Sequence, residues 1–324
     1  MDNDYRVLLG SDGAALEFLR KEFPQLPFII LPSYDIRYPK NSIFFKPKLL
    51  LALPRMQRAI HSEKKIIKNL VAEGRIHGII SDNRPGVHSE SIPSVYLTHQ
   101  IRVLSGSTSF FSSKLHQEMI KKFDACWVPD SEAPENLSGD LGHPAQVDFP
   151  ITYIGPLSRM VKKEVPQQYD VLVLLSGPEP QRTLLEKKLI AEFMNTPKKV
   201  LLVRGVIEES QQQAIENNIT IVNYMTRGEL EQAINESKVV VARSGYTTIM
   251  DLATMQKKAF LIPTPGQYEQ QYLAKRLKET GVAPSCQQHN FTASRLADIS
   301  LYSGLRSVQK GVVFSKLFSL FEGK

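Results

Sequence analysis

The run Val239-Val-Val-Ala-Arg-Ser-Gly-Tyr-Thr-Thr-Ile-Met-Asp-Leu-Ala253, followed by Ile262-Pro-Thr-Pro-Gly-Gln-Tyr-Glu-Gln-Gln-Tyr272, decides the fold class. It spells strand, tight polar turn, helix, strand, and a second polar turn that opens another helix. Val239, Val240 and Val241 are β-branched and are bounded by Ser244 and Gly245, the pattern of a buried strand. Gly245 lets the backbone come close to a ligand. The helix after it aims free N–H groups and its positive dipole end at the same place, as anion sites require. Asp251 falls two turns into that helix. Glu269, Gln270 and Gln271 stand at the start of the next, where a carboxylate and two amides can hold hydroxyls. Phosphate at one helix start with a sugar beside it describes a nucleotide-sugar site.

The same alternation extends in both directions. In the first half the expected strands are Arg6–Leu9, Phe28–Leu31, Gly78–Ser81, Val95–Thr98 and Ala125–Val128. Helical patterns fall near Ala14–Glu22, Pro54–Glu73 and Ser113–Lys122. In the second half, strands at Val171–Leu175, Val200–Arg204, Ile219–Asn223, Val239–Ala242 and Phe260–Ile262 alternate with helices. Those helices lie near Arg182–Met194, Gly228–Glu236, Thr248–Met255 and Gln267–Thr280. Strands alternating with helices predict an α/β fold of doubly wound parallel sheets. A linker near Gly155-Pro156 divides residues 1–156 from 157–305, and a final apolar helix, Ser307–Phe321, lies within 306–324.

Composition sets limits. A chain of 324 residues has room for two cores. No apolar run approaches the roughly 18 residues of a membrane span, and Met1-Asp-Asn-Asp4 has neither region of a signal peptide. Two cysteines, Cys126 and Cys286, are too few for a disulfide framework, which fits a reducing, cytoplasmic setting. The net charge of +7 favours acidic partners, phosphates or anionic lipid. Nucleic acid is the weaker choice, because the basic residues are spread along the chain without a nucleic-acid motif. His61, His77, His88, His116, His143 and His289 show no metal spacing, so no metal site is expected.

The two quoted segments resemble the donor-binding half of GT-B glycosyltransferases. They are most similar to the MurG-like branch, of the glycosyltransferase family 28 C-terminal domain type, which adds N-acetylglucosamine to lipid-linked peptidoglycan precursors. The resemblance implies two Rossmann-like domains facing a cleft, with the last helix crossing back to the first domain. It implies that Arg243, Ser244 and Gly245 face the diphosphate, with Thr247 beside them in the donor set, and that Asp251, six positions after Gly245, holds the ribose. The family usually has Glu at that place, so the reach here is shorter. Pro263 to Gln271, with Gln267, Glu269, Gln270 and Gln271, matches the loop that contacts the sugar.

Ligands in such sheets bind beyond the carboxyl ends of the strands, so the remaining loops there carry weight. Ser176-Gly-Pro-Glu-Pro-Gln-Arg182 is similar to the loop that starts the family's second domain. Ser176, Gly177 and Arg182 are diphosphate candidates, and an ordinary helix-starting turn, a role Pro178 and Pro180 suit, is the alternative. Arg204 joins the donor set at the end of its strand. Asn223-Tyr-Met-Thr226 corresponds to the turn that holds the base, with Tyr224 or Met225 as its apolar wall, or as ordinary core.

In the first half, Asp82 and Arg84 form a polar cluster pointing into the expected cleft, and an Asx-type turn before Pro85 is the alternative. His99 stands where the family has a His-containing loop facing the acceptor. It suits a general base on an acceptor hydroxyl, and a hydrogen-bonded structural histidine is the alternative. Ile43, Phe44, Phe45 and Leu49 to Leu51 are interleaved with Lys40, Lys46 and Lys48. Residues 43–51 fit an apolar wedge for an anionic membrane surface, or else the start of a buried helix.

One departure stands out. The family's first domain opens with a strand, a Gly-rich loop and a helix ahead of the unit that Tyr5–Glu22 resembles. Either Arg6–Leu9 serves as the first strand, or this is a shortened version. The expectation is a metal-independent glycosyltransferase using a nucleotide-diphosphate sugar, UDP-linked, and a hydroxyl acceptor on a lipid-linked or cell-envelope glycan. It would need no cofactor and would work in the cytoplasm at the inner face of the membrane. The rivals are a GT-B epimerase or hydrolase, and a nucleotide-sugar-binding protein without catalysis.

Overall fold

The computed structural model describes residues 5–34, 45–306 and 314–322. The first half runs β1 (Leu9–Ser11), α1 (Gly13–Glu22), β2 (Phe28–Ile30), α2 (Phe45–Ala72), β3 (Ile79–Asp82) and β4 (Ser94–Leu97). It continues through α3 (Ser109–Ile120), β5 (Ala125–Val128) and β6 (Ile151–Tyr153). Strands β3, β4, β5 and β6 form one parallel sheet in that order. Its strands are short apolar runs, and Val95, Tyr96, Cys126, Trp127 and Val128 are all buried.

Strands β1 and β2 form a separate parallel ladder, with Leu9 opposite Phe28. The two ladders share a helix. Leu8 and Ile29 pack into the same apolar cluster as Ile67 and Leu70 of α2 and Ile79 of β3. At the carboxyl ends of the strands, Arg84 bridges them. Its Nη1 reaches Asp12 Oδ1 at 2.5 Å, its Nη2 donates to Pro32 O, and its Nε meets the fully buried Glu63 at 2.6 Å.

The second half runs β7 (Tyr169–Leu174), α4 (Gln181–Phe193), β8 (Val200–Val203), β9 (Gln213–Glu216), β10 (Ile219–Val222) and α5 (Arg227–Asn235). It ends with β11 (Ser237–Ala242), α6 (Tyr246–Thr254), β12 (Ala259–Leu261) and α7 (Tyr268–Glu279), followed by a 3-10 stretch, Ala293–Leu301. The sheet order is β12-β11-β7-β8-β10-β9. All neighbours are parallel except β9, which pairs antiparallel with β10 at the edge. Helices cover both faces and enclose two apolar clusters, so the strands read as continuous apolar runs. This is the expected α/β architecture.

Several boundaries differ from expectation. Strand β1 lies at Leu9–Ser11 and not at Arg6–Leu9, because its ladder partner sets the register. Helix α2 begins at Phe45 and carries Pro54 inside it, where a start at Pro54 was expected. The final helix was expected over Ser307–Phe321. Residues 307–313 lie outside the described residues, and α8 covers Phe314–Phe318 with a 3-10 turn at Ser319–Phe321. Leu317, Phe318, Leu320 and Phe321 pack with Val95, Trp127 and Ile154 of the first half. Residues 43 and 44 of the expected wedge also lie outside the described residues. From Phe45 to residue 51 its backbone is helical.

Candidate functional site

The turn after β11 sits one strand in from the edge of the sheet, flanked by β7 and β12. Gly245 is the N-cap of α6, and no side chain caps that helix. Its φ of −71° is ordinary, and a Cβ added there would meet nothing within 4 Å. The fold itself does not demand glycine here. What glycine provides is an uncovered helix start, with its first N–H groups and dipole facing open space.

Arg243 lies beneath, 1% exposed. Its Nη1 donates to the carbonyls of Ile262 (3.3 Å) and Pro263 (3.2 Å), and its Nη2 to Gln181 O (2.9 Å) and Gln288 Oε1 (2.8 Å). Burial pulls its pKa down to about 10, and its Nε has no partner. Arg243 therefore ties the turn after β11 to the turn after β12 and to the start of α4. Ser244 reinforces the link, donating from Oγ to Gln270 O at 2.7 Å, while Gln270 Oε1 accepts the Thr264 N–H at 2.8 Å. Gln267 is the N-cap of α7. Thr247 and Gln271 are open to solvent.

In the turn after β7, Ser176 and Gly177 are exposed, and Gly177 has a φ of +96°, a conformation that calls for glycine. Arg182 is buried and held by carboxylates. Its Nη1 meets Glu186 at 2.7 Å, and its Nε meets Glu179 at 2.7 Å. Arg204 pairs with the other oxygen of Glu186 at 2.8 Å, although the angle at its Nε is too poor for a hydrogen bond.

The turn after β10 is stiffened by Asn223, whose Oδ1 accepts from Gln212 N and Tyr224 N and whose Nδ2 donates to Glu208 and to Ser210 O. Met225 packs against the main core, and Thr226 opens α5 with a capping box to Glu229. Tyr224 receives Lys21 of α1, whose Nζ lies 4.7 Å above its ring. Asp251 is half-buried on α6 and accepts from Ser158 Oγ at 2.7 Å. Burial raises its carboxyl pKa, with Ser158 and Arg159 pulling the other way.

The first half meets these turns directly. His99 follows β4, and its Nε2 lies 2.9 Å from Glu269 Oε1. Its ring is stacked on Tyr246, the first residue of α6, with centroids 4.3 Å apart and planes 9° from parallel. Tyr246 is buried and donates from Oη to Pro129 O at 3.0 Å. Farther along α7, Tyr272 Oη accepts from Asp140 N at 2.8 Å, and Arg276 Nη2 donates to Asn136 O at 3.2 Å. Asp82 ends β3, with surface open to water yet ringed by protein atoms. That burial raises its carboxyl pKa, and His99 opposes the rise.

His99 and Glu269 thus come together across the two halves, although 170 positions separate them in the chain. Tyr246 and Thr264 were not singled out from sequence. Tyr246 follows Gly245 directly, so its place at the helix start was the available signal. Thr264 lies within the quoted loop with no distinguishing mark. A cavity of about 770 Å³ opens elsewhere, between α1 and the segment after β8, lined by Arg20, Lys21, Phe23, Phe28, Ile207 and Glu208 among others. It contains none of the turn residues above, and Lys21 is its link to Tyr224. The candidate site is therefore the convergence of turns, which His99 and Glu269 close over. Among the described residues no three His, Cys, Asp or Glu side chains stand close enough to hold a metal ion, and no helix is long and apolar enough to cross a membrane.

Residues 171–301 match the glycosyltransferase family 28 C-terminal domain. An uncharacterised glycosyltransferase of Methanopyrus kandleri is 21% identical over 316 residues, 90% of this chain and 86% of that one. The Haemophilus ducreyi UDP-N-acetylglucosamine–N-acetylmuramyl-(pentapeptide) pyrophosphoryl-undecaprenol N-acetylglucosamine transferase is 21% identical over 208 residues, 62% of this chain and 55% of that one. Among solved structures, MurG of Acinetobacter baumannii superposes with a TM-score of 0.51 at 14% identity, covering 99% of this chain and 85% of that one. The kitacinnamycin glycosyltransferase gives 0.58 at 13% identity, covering 92% and 83%. The chain therefore carries the glycosyltransferase family 28 C-terminal domain at residues 171–301, within a fold like that of GT-B glycosyltransferases.

Proposed function

We propose that this chain moves a sugar from a UDP-linked donor to a hydroxyl on a lipid-linked or cell-envelope glycan, without a metal ion. The observation that carries the proposal is the uncovered helix start at Gly245, flanked by the turns at Ser176-Gly177 and Pro263–Gln271 and faced by His99. Residues 1–156 would hold the acceptor, 157–305 the donor, and 306–324 would tie the two together.

The chemistry follows from these positions. Glu269 as a carboxylate can only accept, so His99 Nε2 carries the proton between them and Nδ1 keeps the lone pair. Nδ1 removes the proton from the acceptor hydroxyl as its oxygen attacks the anomeric carbon. The bond from that carbon to the diphosphate breaks, and the N–H groups at Gly245 and Ser176-Gly177 take up the departing charge. Glu269 stabilises the imidazolium. Asp251 binds the ribose, Tyr224 and Met225 flank the base, and Asp82 lies at the acceptor side. Arg243 acts beneath the turns by fixing them to each other.

Turnover of UDP-sugars with and without added acceptors tests the proposal. Sugar transferred to an added acceptor supports it. Epimerised donor or free sugar regardless of acceptor makes the chain an epimerase or hydrolase. A donor that binds and stays unchanged with every acceptor makes it a binding protein.

The same proposal places the chain in the cytoplasm, at the inner face of the membrane where a lipid-linked acceptor would lie. The charge of +7, the apolar and basic segment 43–51, and the exposed Phe110 and Phe111 of α3 support an anionic surface as partner. The protein should co-sediment with vesicles containing anionic lipid and lose them as salt rises. Exchanging Phe44 and Phe45 for Ser should abolish sedimentation in a folded protein, and equal sedimentation of both proteins would contradict the role of 43–51.

A further inference from the structure

Thr264 carries a hydroxyl that the protein itself does not use. The residue is 1% exposed, and its Oγ1 has no hydrogen-bond partner. Its backbone is fully engaged, with the N–H donated to Gln270 Oε1 at 2.8 Å and the carbonyl accepting from Gln267 N at 3.1 Å. The hydroxyl is therefore held in place by groups that do not satisfy it. It faces the Ser176-Gly177 turn, since a Cβ built on Gly177 would sit 3.5 Å from Thr264 Oγ1. Only glycine suits the positive φ at that position, so the space beside the hydroxyl has no side chain from the turn opposite.

A buried hydroxyl without a partner opposes folding, and valine of the same shape would avoid that cost. A threonine kept there makes sense if a ligand supplies the missing acceptor. We propose that Thr264 Oγ1 donates a hydrogen bond to the sugar-proximal phosphate of the donor. The hydroxyl stands between the turn that would contact the sugar and the turn that would contact the diphosphate. This rests on the donor-site proposal above and adds to it a contact that no motif marks.

Thr264→Val separates the two. Removing the hydroxyl should raise the thermal midpoint of the free protein, on the order of 2 °C. It should weaken UDP binding roughly tenfold, the loss of one charge-assisted hydrogen bond. UMP lacks the sugar-proximal phosphate, so its affinity should stay the same. Thr264→Ser, which keeps the hydroxyl, should bind UDP nearly as well as the wild type. Thr264→Ala serves as a second hydroxyl-free variant where Thr264→Val does not fold. Equal UDP affinity in the wild type and Thr264→Val overturns this inference alone, as does an equal loss for UDP and UMP. A wild-type protein that binds neither nucleotide overturns the donor site and this contact with it.

Discussion

His99→Ala is expected to lower kcat by roughly 10²- to 10⁴-fold, the range for losing a positioned general base. UDP affinity should stay within about threefold, because the base is needed for the acceptor's proton and not for holding the diphosphate. Glu269 fixes the ring from one side at 2.9 Å, and Tyr246 fixes its plane by stacking at 4.3 Å. A histidine oriented by a carboxylate and an aromatic face, at the junction of the two halves, has the arrangement a general base needs. Single-turnover measurements with saturating donor check it. An unchanged kcat would leave His99 as a structural link between the halves and shift attention to Asp82.

Arg243→Leu should destabilise the protein by roughly 3–5 kcal/mol. Four acceptors lose a charged donor, each such bond being worth about 1.5–3 kcal/mol. The sum is not realised in full. Burying the guanidinium already costs something, as its depressed pKa and unpartnered Nε indicate, and leucine removes that cost. A loss of this size lowers the thermal midpoint by on the order of 10 °C. UDP binding should fall as well, because the turns after β11 and β12 and the start of α4 would no longer be held together. A midpoint within about 2 °C of the wild type would mean that the carbonyls find other donors and that Arg243 is not the tie between these turns.

Much of the second half was legible because its strands are buried on both faces and bounded by turn residues. Val239 to Ala242 was expected as a strand and forms the end of β11, and the helix expected from Thr248 begins two residues earlier, at Tyr246. What stayed hidden depends on partners far away in the chain. Strand β9, Gln213–Glu216, is exposed along its whole length and has no apolar alternation, so only its pairing with β10 makes it a strand. The placement of β1 depends on Phe28–Ile30 in the same way.

In the site, sequence could nominate residue types at the ends of strands but not their partners. Arg182 and Arg204 were nominated as cations for a diphosphate, and their shared partner Glu186 could not be read from the sequence. His99 and Glu269 were named for separate roles, and their hydrogen bond is a property of how the halves meet. Thr264 became visible only when its hydroxyl could be seen to lack a partner.

Calorimetric titration with UDP, on the wild type and on Asp251→Ala, tests the donor site most directly. Wild-type protein should bind saturably. Asp251→Ala should bind more weakly by about 1.5–3 kcal/mol, the range for hydrogen bonds to a charged group. The substitution should leave the fold intact, because the carboxyl is held above its usual pKa by burial and its hydrogen bond comes from Ser158 alone among the described side chains. The pH dependence has a definite sign. The carboxylate that accepts ribose hydroxyls is lost as pH falls through a pKa above the ordinary aspartate value, so the gap between wild type and Asp251→Ala should narrow on acidification. Titrating phosphates affect both proteins equally and drop out of that difference. A wild-type protein that takes up no UDP, or a folded Asp251→Ala that binds it just as tightly at every pH, would contradict the donor site described here.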